Sequence, residues 1–197
     1  MAAGLFVVFE GIDGSGKSTL TKAIWDDLGT QALLLREPTG LHTGKLIREK
    51  LAAPNTMSQK DWIQLFSDDR ALDVEQHLTP ALAAGKIVLM DRYYYSTAAY
   101  QGQNPPDLSA LQIVQSQQAL FPRPDMVVYL EISPDAALSR LGSRAGLEIF
   151  ETKSQLERIA KNYDSIIPKE ALRLDAAKPV ATNVEKVKKA IGKKVPI

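Results

Sequence analysis

Leu5-Phe6-Val7-Val8-Phe9-Glu10-Gly11-Ile12-Asp13-Gly14-Ser15-Gly16-Lys17-Ser18-Thr19 is the stretch whose reading decides the fold. Leu5–Phe9 is a continuous apolar run, closed by Gly11 after Glu10, and it reads as a strand buried on both faces. Gly11, Gly16, Lys17 and Ser18 then match the spacing G-x-x-x-x-G-K-[ST]. In that pattern glycines let backbone N–H groups turn inward around phosphate oxygens. The lysine meets the β- and γ-phosphates, and the hydroxyl holds magnesium. Gly11, Ile12, Asp13, Gly14, Ser15, Gly16, Lys17, Ser18 and Thr19 are therefore expected to bind a nucleoside triphosphate, with a strand before them and a helix after.

Working outward, similar apolar runs recur at Ala32–Leu35, Ile87–Met90, Met126–Leu130 and Ala171–Leu174, with helical periodicity between them. The alternation predicts an α/β chain: a five-stranded parallel sheet with helices on both faces, the three-layer P-loop NTPase fold. One helix is expected from Ser18 or Thr19 to about Leu28. Asp61–Leu82 reads as a long helix bent near Pro80. Ser133-Pro134 gives an N-cap followed by proline at the first helical position. Thr182 and Glu185 are spaced as a capping box for the last helix.

Composition limits the partners. A chain of 197 residues, 45% hydrophobic and 24% charged, fits one soluble domain with a proper core. A net charge of +1 gives no strong field toward nucleic acid or membrane. Lys186, Lys188, Lys189, Lys193 and Lys194 at or beyond the end of the last helix suit its dipole, so no nucleic-acid partner is inferred from them. The chain has no cysteine, hence no disulfide or thiolate metal site, which fits a reducing compartment. The first apolar run is too short for a secretory signal or a membrane span, and a cytoplasmic location is expected. His42 and His77, the only histidines, lack metal-ligand spacing and read as structural or surface residues.

Ile87-Val88-Leu89-Met90-Asp91 is an apolar strand ending in a carboxylate. Strand ends bordering the phosphate loop share one crevice, so Asp91 can reach magnesium or its water shell. A capping role is the alternative for such an aspartate, but the adjacent Arg92 suits a site holding both metal and phosphate. A GTPase would carry Asn-Lys-x-Asp, and the chain has no Asn-Lys pair. A small-molecule kinase remains, with a nucleotide-binding module lacking catalysis as the alternative.

Asp91-Arg92-Tyr93-Tyr94-Tyr95-Ser96-Thr97-Ala98-Ala99-Tyr100-Gln101-Gly102 resembles the D-R-Y-x-x-S-x-x-A-Y-Q-G signature of thymidylate kinases, within the P-loop nucleoside monophosphate kinases. Phe9-Glu10-Gly11-Ile12-Asp13-Gly14, Arg36-Glu37-Pro38, Phe66 with Arg70, and Leu174-Asp175-Ala176 are similar to other segments of that family, in family order. The resemblance implies transfer of the γ-phosphate of ATP to dTMP, a Mg2+ ion, a homodimer, and a single domain over residues 1–197 with a lid at about 140–152. It implies catalytic roles for Lys17, Asp13, Arg92 and a lid arginine, and metal roles for Ser18 and Asp91. Phe66 would stack on thymine and Arg70 would bond a thymine carbonyl. Arg92 would clamp the dTMP phosphate, where a guanidinium fork fits best. Tyr100 would exclude a ribose hydroxyl, Gln101 would sit at the thymine edge, and Asp13 would meet the acceptor 3′-hydroxyl or the metal shell. Glu37, Pro38 and Ser96 complete the acceptor set, with Arg48 a weaker candidate that reads equally as a solvated helix arginine. A related kinase for dUMP or thymidine is the alternative.

The sequence departs from the family pattern in three places. The phosphate loop has Gly14 where one branch places an arginine. Ile149 stands at an arginine position of the lid, and Thr39–Gly44 differs from the common G-G-T form. Transition-state charge is then expected from Arg140, Arg144 or Arg158. Arg144 is favoured because Gly142 and Gly146 flank it.

Overall fold

The computed structural model describes residues 4–53, 57–142 and 152–196. Five parallel strands, β1 (Leu5–Glu10), β2 (Ala32–Arg36), β3 (Ile87–Asp91), β4 (Met126–Glu131) and β5 (Leu172–Asp175), lie in the order β2-β3-β1-β4-β5. Each strand ends one residue beyond its apolar run, on a charged side chain: Glu10, Arg36, Asp91, Glu131 and Asp175. The ladder carries these charges to the carboxyl edge of the sheet. The chain crosses from one side of β1 to the other between β3 and β4, and open parallel sheets bind ligands at such a switch point.

The helices are α1 (Lys17–Leu28), α2 (His42–Ala52), α3 (Gln59–Asp73), α4 (Thr79–Ala83), α5 (Tyr94–Gln101), α6 (Ala110–Leu120), α7 (Pro134–Gly142), α8 (Lys153–Ile166) and α9 (Val180–Gly192). Alternation along β1 sorts them into two layers. Phe6 and Val8 pack in one core with Tyr94, Ala98, Ile113, Ile159 and Tyr163 from α5, α6 and α8. Leu5, Val7 and Phe9 pack in a second core with Leu20 and Ile24 of α1 and Val187 and Ile191 of α9. Both faces of β1 are thus covered, and a fully buried Val, Leu or Phe contributes about 1.5–3 kcal/mol. Among the described residues no helix is long and apolar enough to cross a membrane.

Several helix ends differ from expectation. α1 starts at Lys17, one residue before Ser18. α3 starts at Gln59 because Ser58 and Asp61 form a capping box, a signal present in the sequence. The irregularity in the long helical stretch lies at Val74–Leu78, a π turn upstream of Pro80, and Pro80 itself sits in the first turn of α4. Proline lacks the N–H for residue 76 and its ring crowds that carbonyl, so the preceding turn widens. Ser133 caps α7, accepting from the Ala136 N–H at 3.2 Å. The capping box expected from Thr182 and Glu185 does not form. α9 begins two residues earlier, at Val180 behind Pro179, which puts both residues inside the helix. There Pro179 follows directly on the turn closed by Lys178 N–H on the Asp175 carbonyl at 3.2 Å, and its ring sets the chain direction into the helix.

Candidate active site

β1 runs directly into the phosphate loop, and Ser15 N–H closes the turn on the Ile12 carbonyl at 3.2 Å. Gly16, with φ 92° and ψ 16°, is the N-cap of α1, a left-handed conformation open to glycine. The first turn of α1 therefore aims its free N–H groups and positive dipole end at the crevice. Lys17 is buried, and its ammonium donates to the carbonyls of Gly11 at 2.7 Å and Ile12 at 3.0 Å. Burial, seconded by the nearby Arg92 charge, lowers its pKa to about 8.

Gly14 has φ 80°, and a Cβ built there would lie 2.6 Å from the Ala137 carbonyl oxygen and 3.1 Å from the Ala137 Cα of α7. The loop therefore has no room for the arginine of the other family branch. A cation comes from α7 instead: Arg140 donates to the Gly14 carbonyl at 3.3 Å and the Ala176 carbonyl at 2.8 Å. Arg158 is engaged elsewhere, donating to the carbonyls of Gly102 at 2.8 Å and Tyr100 at 3.3 Å. Arg144 and most of the lid segment lie outside the described residues.

The register that sets Phe9 beside Asp91 brings the end of β3 to the start of the loop. The Ser18 hydroxyl donates to Asp91 Oδ2 at 2.5 Å. Asp91 is buried, and its Oδ1 has no hydrogen-bond partner among the described residues. A buried carboxylate oxygen without a donor suits a cation. Among the described residues no three His, Cys, Asp or Glu side chains gather to hold a metal. Such a sparse protein donor set fits magnesium, which keeps several waters and takes one or two carboxylates plus substrate phosphates.

On the other side of the loop, Asp13 is ion-paired with Arg92 and accepts from the Tyr100 hydroxyl at 3.1 Å. Burial raises the Asp13 carboxyl, but Arg92, Lys17 and the Tyr100 hydroxyl together bring it down to about 2. The Arg92 guanidinium lies 5.1 Å from the centre of the Tyr100 ring. Arg92 has φ 73° and is the one non-glycine residue with positive φ among those described. Such a conformation costs about 1–3 kcal/mol and clusters at functional sites.

The remaining residues expected at the acceptor fall into two groups. Phe66, Pro38, Tyr100 and Gln101 are half-buried, each keeping part of its surface exposed. Phe66 leans on Trp62 with ring centres 6.0 Å apart, and the Gln101 carbonyl accepts from Gln59 at 2.7 Å. Arg70, Glu37 and Ser96 are buried. Arg70 forks onto Glu37 at 3.0 and 2.5 Å and donates to Gln117 at 2.7 Å and Thr97 at 3.0 Å. Four of its five N–H groups thus have protein acceptors. The Ser96 hydroxyl faces inward, bonding Glu10 at 2.5 Å and Tyr163 at 2.8 Å. Arg48 donates to the carbonyls of Pro38 at 3.0 Å and Thr39 at 2.7 Å, bracing the loop that follows β2. His77 pairs with Asp73 at 2.8 Å, and His42 opens α2.

Sequence reasoning missed several supporting residues. Asp69 is buried and takes three hydrogen bonds, from the Thr39 N–H at 2.8 Å and from the Thr39 and Thr43 hydroxyls at 2.6 Å each. Gln117 accepts from both Ser67 and Arg70. Tyr163 and Asn162 of α8 reach back to α5, Asn162 donating to the Ala99 carbonyl at 2.8 Å. Glu10 did carry a signal, a carboxylate closing an apolar strand one residue before a phosphate loop. Gln117 and Tyr163 carried none, because their partners lie 47 and 153 residues away.

A family model described as thymidylate kinase matches residues 9–187. A thymidylate kinase of Leptospira interrogans (serovar copenhageni) is 45% identical over 179 residues, covering 88% of this chain and 87% of its own. A thymidylate kinase of Akkermansia muciniphila is 35% identical, covering 98% and 94%. A probable thymidylate kinase of Archaeoglobus fulgidus is 33% identical, covering 95% and 94%.

Proposed function

This chain belongs to the thymidylate kinase family, and from that premise we propose that it transfers the γ-phosphate of ATP to dTMP, giving ADP and dTDP for dTTP synthesis. The observation that carries the reading is Arg92. It sits in a left-handed turn at the end of β3, its guanidinium beside Asp13 of the phosphate loop and over Tyr100. A cation so placed lies between a donor cradle and an acceptor pocket, where a monophosphate needs it.

Each half has a task. Gly11–Ser18 and Thr19 hold the triphosphate, and the Lys17 ammonium leaves the loop carbonyls for the β- and γ-oxygens. Ser18 and Asp91 would hold Mg2+, which would supply charge neutralisation on those oxygens. Arg92 exchanges its ion pair with Asp13 for the dTMP phosphate, and Asp13 is then free to turn toward the 3′-hydroxyl. Phe66 stacks on the base, Arg70 uses its remaining N–H toward a thymine carbonyl, and Pro38 and Gln101 border the base. Tyr100 closes against C2′, while Glu37 and Ser96 act from behind by holding Arg70 and Arg92. A dTMP oxygen forms a bond to the γ-phosphorus as the β–γ bridging bond breaks. No general base is needed, because a phosphomonoester with a second pKa of roughly 6 is already ionised. Alignment and charge then carry catalysis. Arg140 and Arg144 supply the cation that Gly14 cannot. Residues 1–197 act as one domain with a lid at about 140–152. A homodimer is supported by exposed Leu46 and Leu51 on α2 and Leu111 and Leu120 on α6. The place of action is the cytoplasm.

An ADP-release assay with dTMP, dUMP, thymidine and the ribonucleotide tests the acceptor. We expect dTMP to turn over fastest, and a preference for thymidine or dUMP defeats the assignment. Arg92→Ala is expected to raise the KM for dTMP about a hundredfold with a much smaller change for ATP, as loss of a charge-assisted phosphate clamp implies. An unchanged dTMP KM removes the clamp role.

A further inference from the structure

Glu10 is the last residue of β1, buried and fully enclosed. The hydrogen bonds of its carboxylate lead away from the phosphate loop that follows it. Its carboxylate accepts instead from the Tyr93 N–H at 2.9 Å, the Ser96 N–H at 3.2 Å, the Ser96 hydroxyl at 2.5 Å and the Tyr163 hydroxyl at 3.0 Å. An enclosed carboxylate is costly for the fold unless its oxygens are hydrogen-bonded, and here each oxygen takes two donors. The geometry around Arg92 gives it a purpose.

The two N–H groups flanking the Arg92 α-carbon are both held by consecutive residues of β1. Arg92 N–H donates to the Phe9 carbonyl at 3.0 Å, and Tyr93 N–H donates to the Glu10 carboxylate at 2.9 Å. Between these two clamps the backbone adopts φ 73°. An arginine leaves that conformation unless its surroundings over-determine it. Relaxation to an ordinary extended or helical φ would swing the guanidinium away from Asp13 and Tyr100. We propose that Glu10 is a positioning residue for the acceptor phosphate: by reach and by hydrogen bonding it holds the turn at Arg92 that points the guanidinium into the acceptor pocket. Tyr163 and Ser96 keep the carboxylate in place, so α8 takes part in the same clamp.

The inference rests on the dTMP kinase reading, and its test is separate from that one. Two conservative variants split reach from charge. Glu10→Asp keeps the charge but is one methylene short of the Tyr93 N–H. Glu10→Gln keeps the reach: its carbonyl oxygen accepts the two N–H groups, and its amide donates to Ser96 or Tyr163. Glu10→Asp is expected to raise the KM for dTMP about tenfold with ATP KM within about twofold, and Glu10→Gln to stay within about threefold of the parent for both, as loss or retention of hydrogen bonds to a buried clamp implies. In an Arg92→Ala background Glu10→Asp adds nothing further to the dTMP KM, because it acts through that residue. Equal shifts in both KM values, a Gln variant as impaired as the Asp variant, no shift in the Asp variant, or additivity with Arg92→Ala each overturns the proposal. Failure of the parent enzyme to phosphorylate dTMP overturns the function instead.

Discussion

The proposed donor and acceptor halves of the site touch at Asp13 and are built by opposite means. The donor half is one short segment, Gly11–Ser18, placed to act largely through backbone N–H groups and a helix end, with Lys17 and Ser18 as its own side chains and Asp91 and Arg140 reaching it from outside. The acceptor half is assembled from residues far apart in the chain: Glu37 after β2, Arg70 on α3, Arg92 after β3, Gln117 on α6 and Tyr163 on α8. It depends on buried, charged side chains whose positions are set by other side chains. A backbone cradle tolerates change outside its few glycines. A buried network fails at any member, because removing one partner leaves another desolvated and alone.

The largest expected effect tests that claim. Arg70→Ala strands the buried Glu37 carboxyl and removes one of the two donors to Gln117, and should lower stability by about 3–5 kcal/mol in denaturant unfolding. A loss below about 1 kcal/mol, the size of an ordinary surface pair, would mean that the acceptor half is not a mutually dependent network. The corresponding change in the donor half is Gly14→Ala, where the new Cβ meets the Ala137 carbonyl at 2.6 Å in a left-handed turn. It should cost about 1–3 kcal/mol and raise the ATP KM more than the dTMP KM, since the strain falls on the loop and α7. An equal rise in both would show that the two halves are less separable than their construction suggests.

The smallest effect is a difference in pH response. Lys17, with its pKa lowered to about 8 by burial, loses its proton above that pH in the free enzyme. Triphosphate binding raises that pKa, so binding takes up a proton once the pH exceeds it. ATP affinity should be level below pH 8 and fall by up to about tenfold per unit above it. Asp13, held near 2, is ionised throughout that range and Arg92 is cationic, so the dTMP phosphate contact should stay level; Glu37, pushed up to about 8 by burial, ionises in the same range but acts only from behind Arg70, so dTMP affinity should change far less than ATP affinity. Calorimetry of each ligand from pH 7 to about 9.5 checks the contrast. Parallel pH profiles would break it.

The same division explains what could be read before the structure. Leu5–Phe9 and the four later runs are strands because each apolar run is short and continuous, and such patterns need no distant partner to be interpreted. Gly16, Lys17 and Ser18 were legible because phosphate binding by backbone depends on local spacing. Asp91 and Arg92 were legible through position at a strand end. Ser96 was placed in the acceptor site, but its inward turn toward Glu10 was hidden. Arg70 was expected to face the base, and its fork onto Glu37 was equally hidden. The helix start at Val180 was misread because a capping spacing at Thr182 and Glu185 competed with the turn and proline just before it.

By itself, the sequence determined the sheet, the cradle and the chemical class, since periodicity and a contiguous loop are properties of neighbouring residues. The tertiary structure decided why Gly14 admits no arginine, which carboxylate holds Arg70, and how Glu10 and Phe9 grip the turn at Arg92. Those outcomes depend on the register of β1 against β3 and on helices packed from distant parts of the chain. No local pattern encodes the meeting of Ala137 with Gly14 or of Tyr163 with Glu10; packing of the two cores brings them together.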